Sequence, residues 1–210
     1  MIDEIIKQMK WLGHDAFLLN AGGKIIYFDP FQLAGELPAA DIILVSHEHY
    51  DHCSPEDIEK IQTENTVIVT EPQAAKKVTG KIKILKPGEN CEVAGVRIEA
   101  VPSYNTNKKF HPEGNSWLGF VLTIEGTRIY HAGDTDLIPE MKDINADIAL
   151  LPVSGTYVMT AEEAVEAALA IRPKVAIPMH YDAIVGSKDD ARRFADGLAG
   201  KVRVEILSRQ

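Results

Sequence analysis

Histidines and acids crowd into one short stretch of the chain, Ser46-His47-Glu48-His49-Tyr50-Asp51-His52. Neutral imidazole nitrogen and carboxylate oxygen are the ligands that zinc and similar divalent cations accept, so His47, His49, Asp51 and His52 make a candidate metal site. The run before them, Asp41-Ile42-Ile43-Leu44-Val45, has the β-branched apolar character of a buried strand. If that strand continued, the polar side chains would fall on both faces, a heavy cost for a core. A loop at the strand's end can instead fold them around one centre.

His47-x-His49-x-Asp51-His52 after a hydrophobic strand resembles the signature of the metallo-β-lactamase superfamily. The resemblance implies an α+β architecture, a four-layer αββα sandwich, with two divalent metal ions at one edge. Zinc is the default, with manganese or iron as alternatives for a mixed His/carboxylate set. Further ligands must then come from elsewhere in the chain. Asp134 closes Tyr130-His131-Ala132-Gly133-Asp134, where Gly permits a sharp turn and a carboxylate with two oxygens can bridge two cations. By the same resemblance, His180, ending Val175-Ala176-Ile177-Pro178-Met179-His180, is the expected histidine of the second metal. The third histidine of the first metal is less direct. Similar proteins carry it as Ala-x-His-Ser after the strand equivalent to Glu99–Val101, but here that stretch is Pro102-Ser103-Tyr104-Asn105. The nearby candidate is His111, in a loop rich in Gly, Pro and Asn, and without it the first metal would be short of a ligand.

Two of the seven histidines remain, His14 and His131. Neither occupies a ligand position of the superfamily. A lone His near a strand is more often a hydrogen-bonded structural residue, but both are also candidates, with Asp51, for acid, base or orienting roles, alongside Tyr104 and Tyr181. Asp29, in Phe28-Asp29-Pro30, is suited to accept a ligand histidine's second N–H and fix its tautomer. Such a site lowers the pKa of a water and stabilises a developing oxyanion, which points to metal-dependent hydrolysis of a small-molecule ester, lactone or phosphodiester. The whole chain resembles the small stand-alone hydrolases related to ascorbate-6-phosphate lactonases and N-acyl-phosphatidylethanolamine phospholipases. It departs from many of them at Ser154-Gly155, where they carry Gly-Gly. Two other readings compete: a nuclease-type phosphodiesterase of the same fold, and a non-enzymatic metal-binding protein with an incomplete ligand set. The diiron oxygen-reducing relatives carry Glu in place of His49 and an added flavin domain, features this chain lacks.

The elements that must position these residues follow from length and pattern. With 210 residues, 45% hydrophobic and 25% charged, the chain is expected to be one domain over residues 1–210. A net charge of -9 argues against a broad nucleic-acid surface. Two cysteines, Cys53 and Cys91, make no disulfide framework, and no apolar run reaches membrane-span length, so a cytoplasmic location is expected. Strands are expected over 5–12, 16–20, 24–28, 41–45, 66–70 and 81–85, with a helix starting at Ser54-Pro55 and a short one over 72–78. Hairpins follow around Ala94-Gly95 and Glu125-Gly126. Next come a strand at 147–151, a helix at 160–171 with a capping box, a strand at 175–178, a helix at 187–198 and a strand at 202–207. Each half thus has hairpins followed by strand–helix alternation, as two sheets covered by helices would require.

Overall fold

In the first half, a short helix α1 (Ile2–Lys7) leads into an antiparallel meander of β1 (Met9–Gly13), β2 (Ala16–Ala21) and β3 (Lys24–Phe28). β4 (Ile42–Val45), β5 (Val67–Thr70) and β6 (Lys81–Ile84) then add in parallel, in the order β1-β2-β3-β4-β5-β6. The crossover between β4 and β5 is α2 (Pro55–Ile61), whose start is fixed by Pro55 and by the Ser54 side chain accepting the Asp57 N–H.

The second half repeats the scheme. β7 (Asn90–Val93), β8 (Val96–Pro102), β9 (Leu118–Ile124) and β10 (Thr127–His131) are antiparallel neighbours. β11 (Ile148–Pro152), β12 (Val175–Met179) and β13 (Arg203–Val204) join in parallel, in the order β13-β12-β11-β10-β9-β8-β7. α3 (Ala161–Ile171) and α4 (Lys188–Leu198) make the parallel connections, each opened by a capping box, Thr160 with Glu163 and Ser187 with Asp190. This computed structural model describes residues 1–210.

Strand alternation decides the layering. Phe17, Leu19, Ile26, Phe28, Ile42 and Leu44 belong to one apolar core with Ile98, Phe120 and Leu122 of the second sheet and Ala164, Ala168, Phe194 and Leu198 of α3 and α4. The intervening residues Leu18, Tyr27, Ile43 and Val45 pack with Ile58 and Ile61 of α2 in a smaller cluster. The order is therefore helix, sheet, sheet, helix, the expected αββα sandwich. No helix is long and apolar enough to cross a membrane.

Three element expectations need correction. Residues 2–7 are helical, because Ile2, Ile5, Ile6 and Met9 share a helical spacing and Asp3, Glu4 and Lys7 suit the helix ends. The expected helix over 72–78 shrinks to a 3₁₀ turn, Ala74–Lys76. The final strand pairs only at Arg203–Val204, so most of 202–207 is irregular.

Candidate metal centre

Three of the parallel or inner strands end at the same edge, and their following loops carry the polar groups. After β4 the chain turns tightly: the His52 and Cys53 N–H groups both donate to the His49 carbonyl, at 3.1 and 2.8 Å. After β10 comes Ala132-Gly133-Asp134. Gly133 has φ +63°, and a Cβ there would meet the Leu118 carbonyl oxygen at 2.9 Å, so only glycine fits this turn. After β12, His180 itself adopts φ 60°, and its N–H donates to the carbonyl of His14, another left-handed residue at φ 52°. Side chains rarely adopt this region, and such positions concentrate where geometry must be imposed.

With His14 after β1 and His111 after β8, these loops bring eight of the nine expected site residues together. The His47 Nε2 and His49 Nδ1 atoms are 3.0 Å apart, and one ligand atom each of His47, His49 and His111 fall within 4.8 Å of one another. His111 Nε2 is 3.1 Å from Asp134 Oδ2. The other oxygen, Asp134 Oδ1, is 3.3 Å from both His52 Nε2 and His180 Nε2. One carboxylate thus faces two groups of imidazoles, one through each oxygen. Asp51 Oδ2 lies 3.9 Å from His52 Nε2 and 3.2 Å from His14 Nε2, and His14 groups with His52 and His180.

Every ligand-type Nε2 has its opposite nitrogen occupied. His47 Nδ1 lies 2.9 Å from Ser46 Oγ, and His52 Nδ1 donates to Asp29 Oδ2 at 2.8 Å. His111 Nδ1 is 3.2 Å from the Tyr157 carbonyl, and His180 Nδ1 is 2.9 Å from Ser154 Oγ. Asp29 also accepts the Ser46 N–H and hydroxyl, at 2.7 and 2.6 Å. A proton on Nδ1 leaves the Nε2 lone pair free to ligate. Yet His52 Nε2, His111 Nε2, Asp134 Oδ1 and both His14 nitrogens are buried without a hydrogen-bond partner. Buried polar atoms are ordinarily paired, so this convergence fits divalent cations. Ligands about 2.0–2.1 Å from a tetrahedral ion stand roughly 3.4 Å apart, close to the 3.0–3.3 Å separations seen here.

Electrostatics follow the same division. Burial lowers the pKa of His47 and His49 and pushes His14 down to about 4, so these imidazoles stay neutral, as ligation requires. Burial alone would do the same to His52 and His180, but the Asp134 carboxylate overrides it and raises both. Burial opposes ionisation of Asp134, yet His180 and His52 hold its pKa well below the ordinary carboxylate value. Burial likewise acts against Asp51, and the His14 imidazole 3.2 Å away prevails, taking it to about 2.

His131 is the exception. It is fully buried behind the cluster, stacked on Phe28 at 5.1 Å, with Nε2–H donating to the Asp15 carbonyl at 2.9 Å. That position lends the expected acid–base role no support, because the Nε2–H is committed to the Asp15 carbonyl and the ring packs on Phe28. Tyr104 donates its hydroxyl to Glu140 at 3.0 Å, and Tyr181 is buried against Trp11 at 4.7 Å. Of the acid–base candidates outside the ligand motif, only His14 reaches the cluster.

Several supporting residues escaped the sequence reading. Trp117 packs against His47, His49 and His111 at 4.7, 4.7 and 5.3 Å. Asp15 is wholly buried with both carboxylate oxygens unpartnered, and burial raises its pKa well above normal. Its place beside His14 was a usable signal; Trp117, far from the ligand motif in sequence, offered none.

A family model described as the β-lactamase superfamily domain matches residues 8–180. The chain belongs to the metallo-β-lactamase superfamily. Within it, this member is 36% identical to a UPF0173 metal-dependent hydrolase of Methanoculleus marisnigri, over 96% of this chain and 93% of that one. It is 38% identical to a UPF0173 metal-dependent hydrolase of Thermoplasma acidophilum, over 94% and 92%. Among solved structures, a candidate metal-dependent hydrolase of Parabacteroides distasonis superposes with a TM-score of 0.85 at 36% identity, covering 96% of this superfamily member and 93% of that chain.

Proposed function

We propose that the protein is a dinuclear metal-dependent hydrolase acting on a small-molecule ester, lactone or phosphodiester. The observation that carries this reading is the division of Asp134: Oδ2 toward His111, Oδ1 toward His52 and His180. His47, His49 and His111 would hold one cation, and Asp51, His52 and His180 the other, with Asp134 between them; zinc is the default, manganese or iron the alternatives. Bound there, the cations would supply a water of near-neutral pKa and a Lewis acid for the scissile group.

The chain's own residues prepare that chemistry. Ser46, Asp29, the Tyr157 carbonyl and Ser154 fix four imidazoles with Nε2 inward. Asp51, partly open to the cleft, would orient the nucleophile, and His14, 3.2 Å from its Oδ2, would position Asp51 or pass a proton to it. The buried, unpaired thiols Cys53 and Cys91 accord with a reducing cytoplasm, where we place the protein. The test is metal analysis of the purified protein, followed by a panel of lactones, esters, thioesters and phosphodiesters. Two bound cations per chain and metal-dependent turnover are expected. A protein that takes up no transition metal under any loading condition refutes the reading.

A further inference from the structure

The cavity over the cluster has a volume of about 310 Å³ and is lined by His49, Tyr50, Asp51, Phe110, His111, Asp134, Tyr157 and Ile184. Its polar floor is the site already described; its rim is a separate feature. Tyr50, Phe110, Tyr157 and Ile184 are 66%, 54%, 37% and 39% exposed, and they make up four of the eight large hydrophobic side chains exposed anywhere on the protein. They come from four different loops, following β4, β8, β11 and β12. Phe110 meets Tyr157 edge-on at 4.6 Å, and Tyr50 meets Phe31 edge-on at 5.8 Å. Isolated exposed apolar residues need no explanation, but a concentration around one concave opening marks a binding surface.

Charge narrows the occupant. No lysine or arginine lines the cavity. Of the two lysines beside Phe110, Lys108 is held by Asp136 at 2.6 Å, and Lys109 is not among the residues that line the cavity. Sites that recognise phosphate groups supply Arg, Lys or helix N-termini for them, and this rim supplies none. A volume near the low end of ligand cavities, roughly 300–1,000 Å³, also argues for a compact molecule.

We propose that the rim formed by Tyr50, Phe110, Tyr157 and Ile184 selects a compact, neutral ester or lactone bearing an apolar or aromatic substituent, in preference to a phosphorylated substrate. This rests on the hydrolase reading of the floor beneath it. Binding energy from an apolar substituent would be gained at the rim, away from the reacting atoms, so its loss appears mainly in KM.

The experiment compares γ-butyrolactone, γ-nonalactone and bis(4-nitrophenyl) phosphate on the metal-loaded protein, with Phe110→Ser and Ile184→Ser as variants. Both side chains are substantially exposed, so folding should survive either change, which a melting curve checks. A kcat/KM at least tenfold higher for γ-nonalactone than for γ-butyrolactone is expected, with the phosphodiester the poorest of the three. Each variant should shrink that lactone ratio severalfold, chiefly through KM. Faster turnover of the phosphodiester, or a lactone ratio unaffected by both variants, overturns the inference and leaves the hydrolase standing. If none of the three is turned over, binding of the neutral ketone 4-phenyl-2-butanone, followed by ligand-observed NMR, decides the rim separately. Binding weakened severalfold by Phe110→Ser supports it; no binding, or binding indifferent to both variants, overturns it.

Discussion

Replacing Ser154 by alanine isolates one half of the proposed cation pair. The Ser154 hydroxyl donates to the Thr156 carbonyl at 3.2 Å, so its oxygen is left to accept the His180 Nδ1–H at 2.9 Å. That arrangement holds the His180 tautomer with a bare Nε2, 3.3 Å from Asp134 Oδ1. Without the hydroxyl, the ring loses its orienting partner and can populate the other tautomer. Loss of such a partner typically weakens metal binding by 10–100-fold, roughly 1.4–2.7 kcal/mol. The fold itself should barely notice. One partly solvated hydrogen bond is worth about 1 kcal/mol, which for a chain of this length moves the melting temperature by about 2 °C. The assay is zinc titration against a chromophoric chelator. Its first binding step, assigned to His47, His49 and His111, should stay put, while the second shifts 10–100-fold weaker. If neither step moves, or both weaken together, the assignment of Ser154 and His180 to a separate second position is wrong.

Asp134→Ala removes the carboxylate that faces both imidazole sets; turnover should fall to background and at least one cation be lost, as read by elemental analysis. Chelation with EDTA should abolish hydrolysis and lower the melting temperature by several degrees, both restored by zinc, manganese or iron. The metal-free protein should lose stability as pH falls from about 6.5 to 4. His14 stays uncharged in the fold down to about 4 but gains its proton near 6.5 once unfolded, so protons favour unfolding across that window. A melting temperature flat over that range contradicts this. Single-stranded RNA and DNA should not bind measurably even at low salt, given the acidic net charge of -9, as a filter-binding titration would report.

The candidate cluster was largely legible because its residues sit at strand ends with turn residues beside them, as at Gly133-Asp134 and Met179-His180. The αββα layering was legible for a related reason: inner and outer apolar faces alternate along β2 to β4, and the capping boxes at Thr160 and Ser187 announce their helices. What escaped depends on contacts between remote segments. Ser154 meets His180 from 26 positions away, and Trp117 reaches His47 across a sheet interface. For His131 the position before Ala132-Gly133-Asp134 left two roles open, and strand alternation turns it into the core against Phe28, the structural one. The opening helix was misread because paired isoleucines favour strands in isolation, while Ile2, Ile5 and Ile6 here pack as one helical face.

His47, His49, Asp51 and His52 hang from the first sheet, whereas His111, Asp134 and His180 belong to the second. The chain has no disulfide, and its two halves are held together by the connecting chain, packing, hydrogen bonds and the exposed Asp3–Arg203 ion pair. Ions gripped from both sides would act as a reversible clasp across that seam, so the supply of metal would govern how long the fold persists as well as how fast it works.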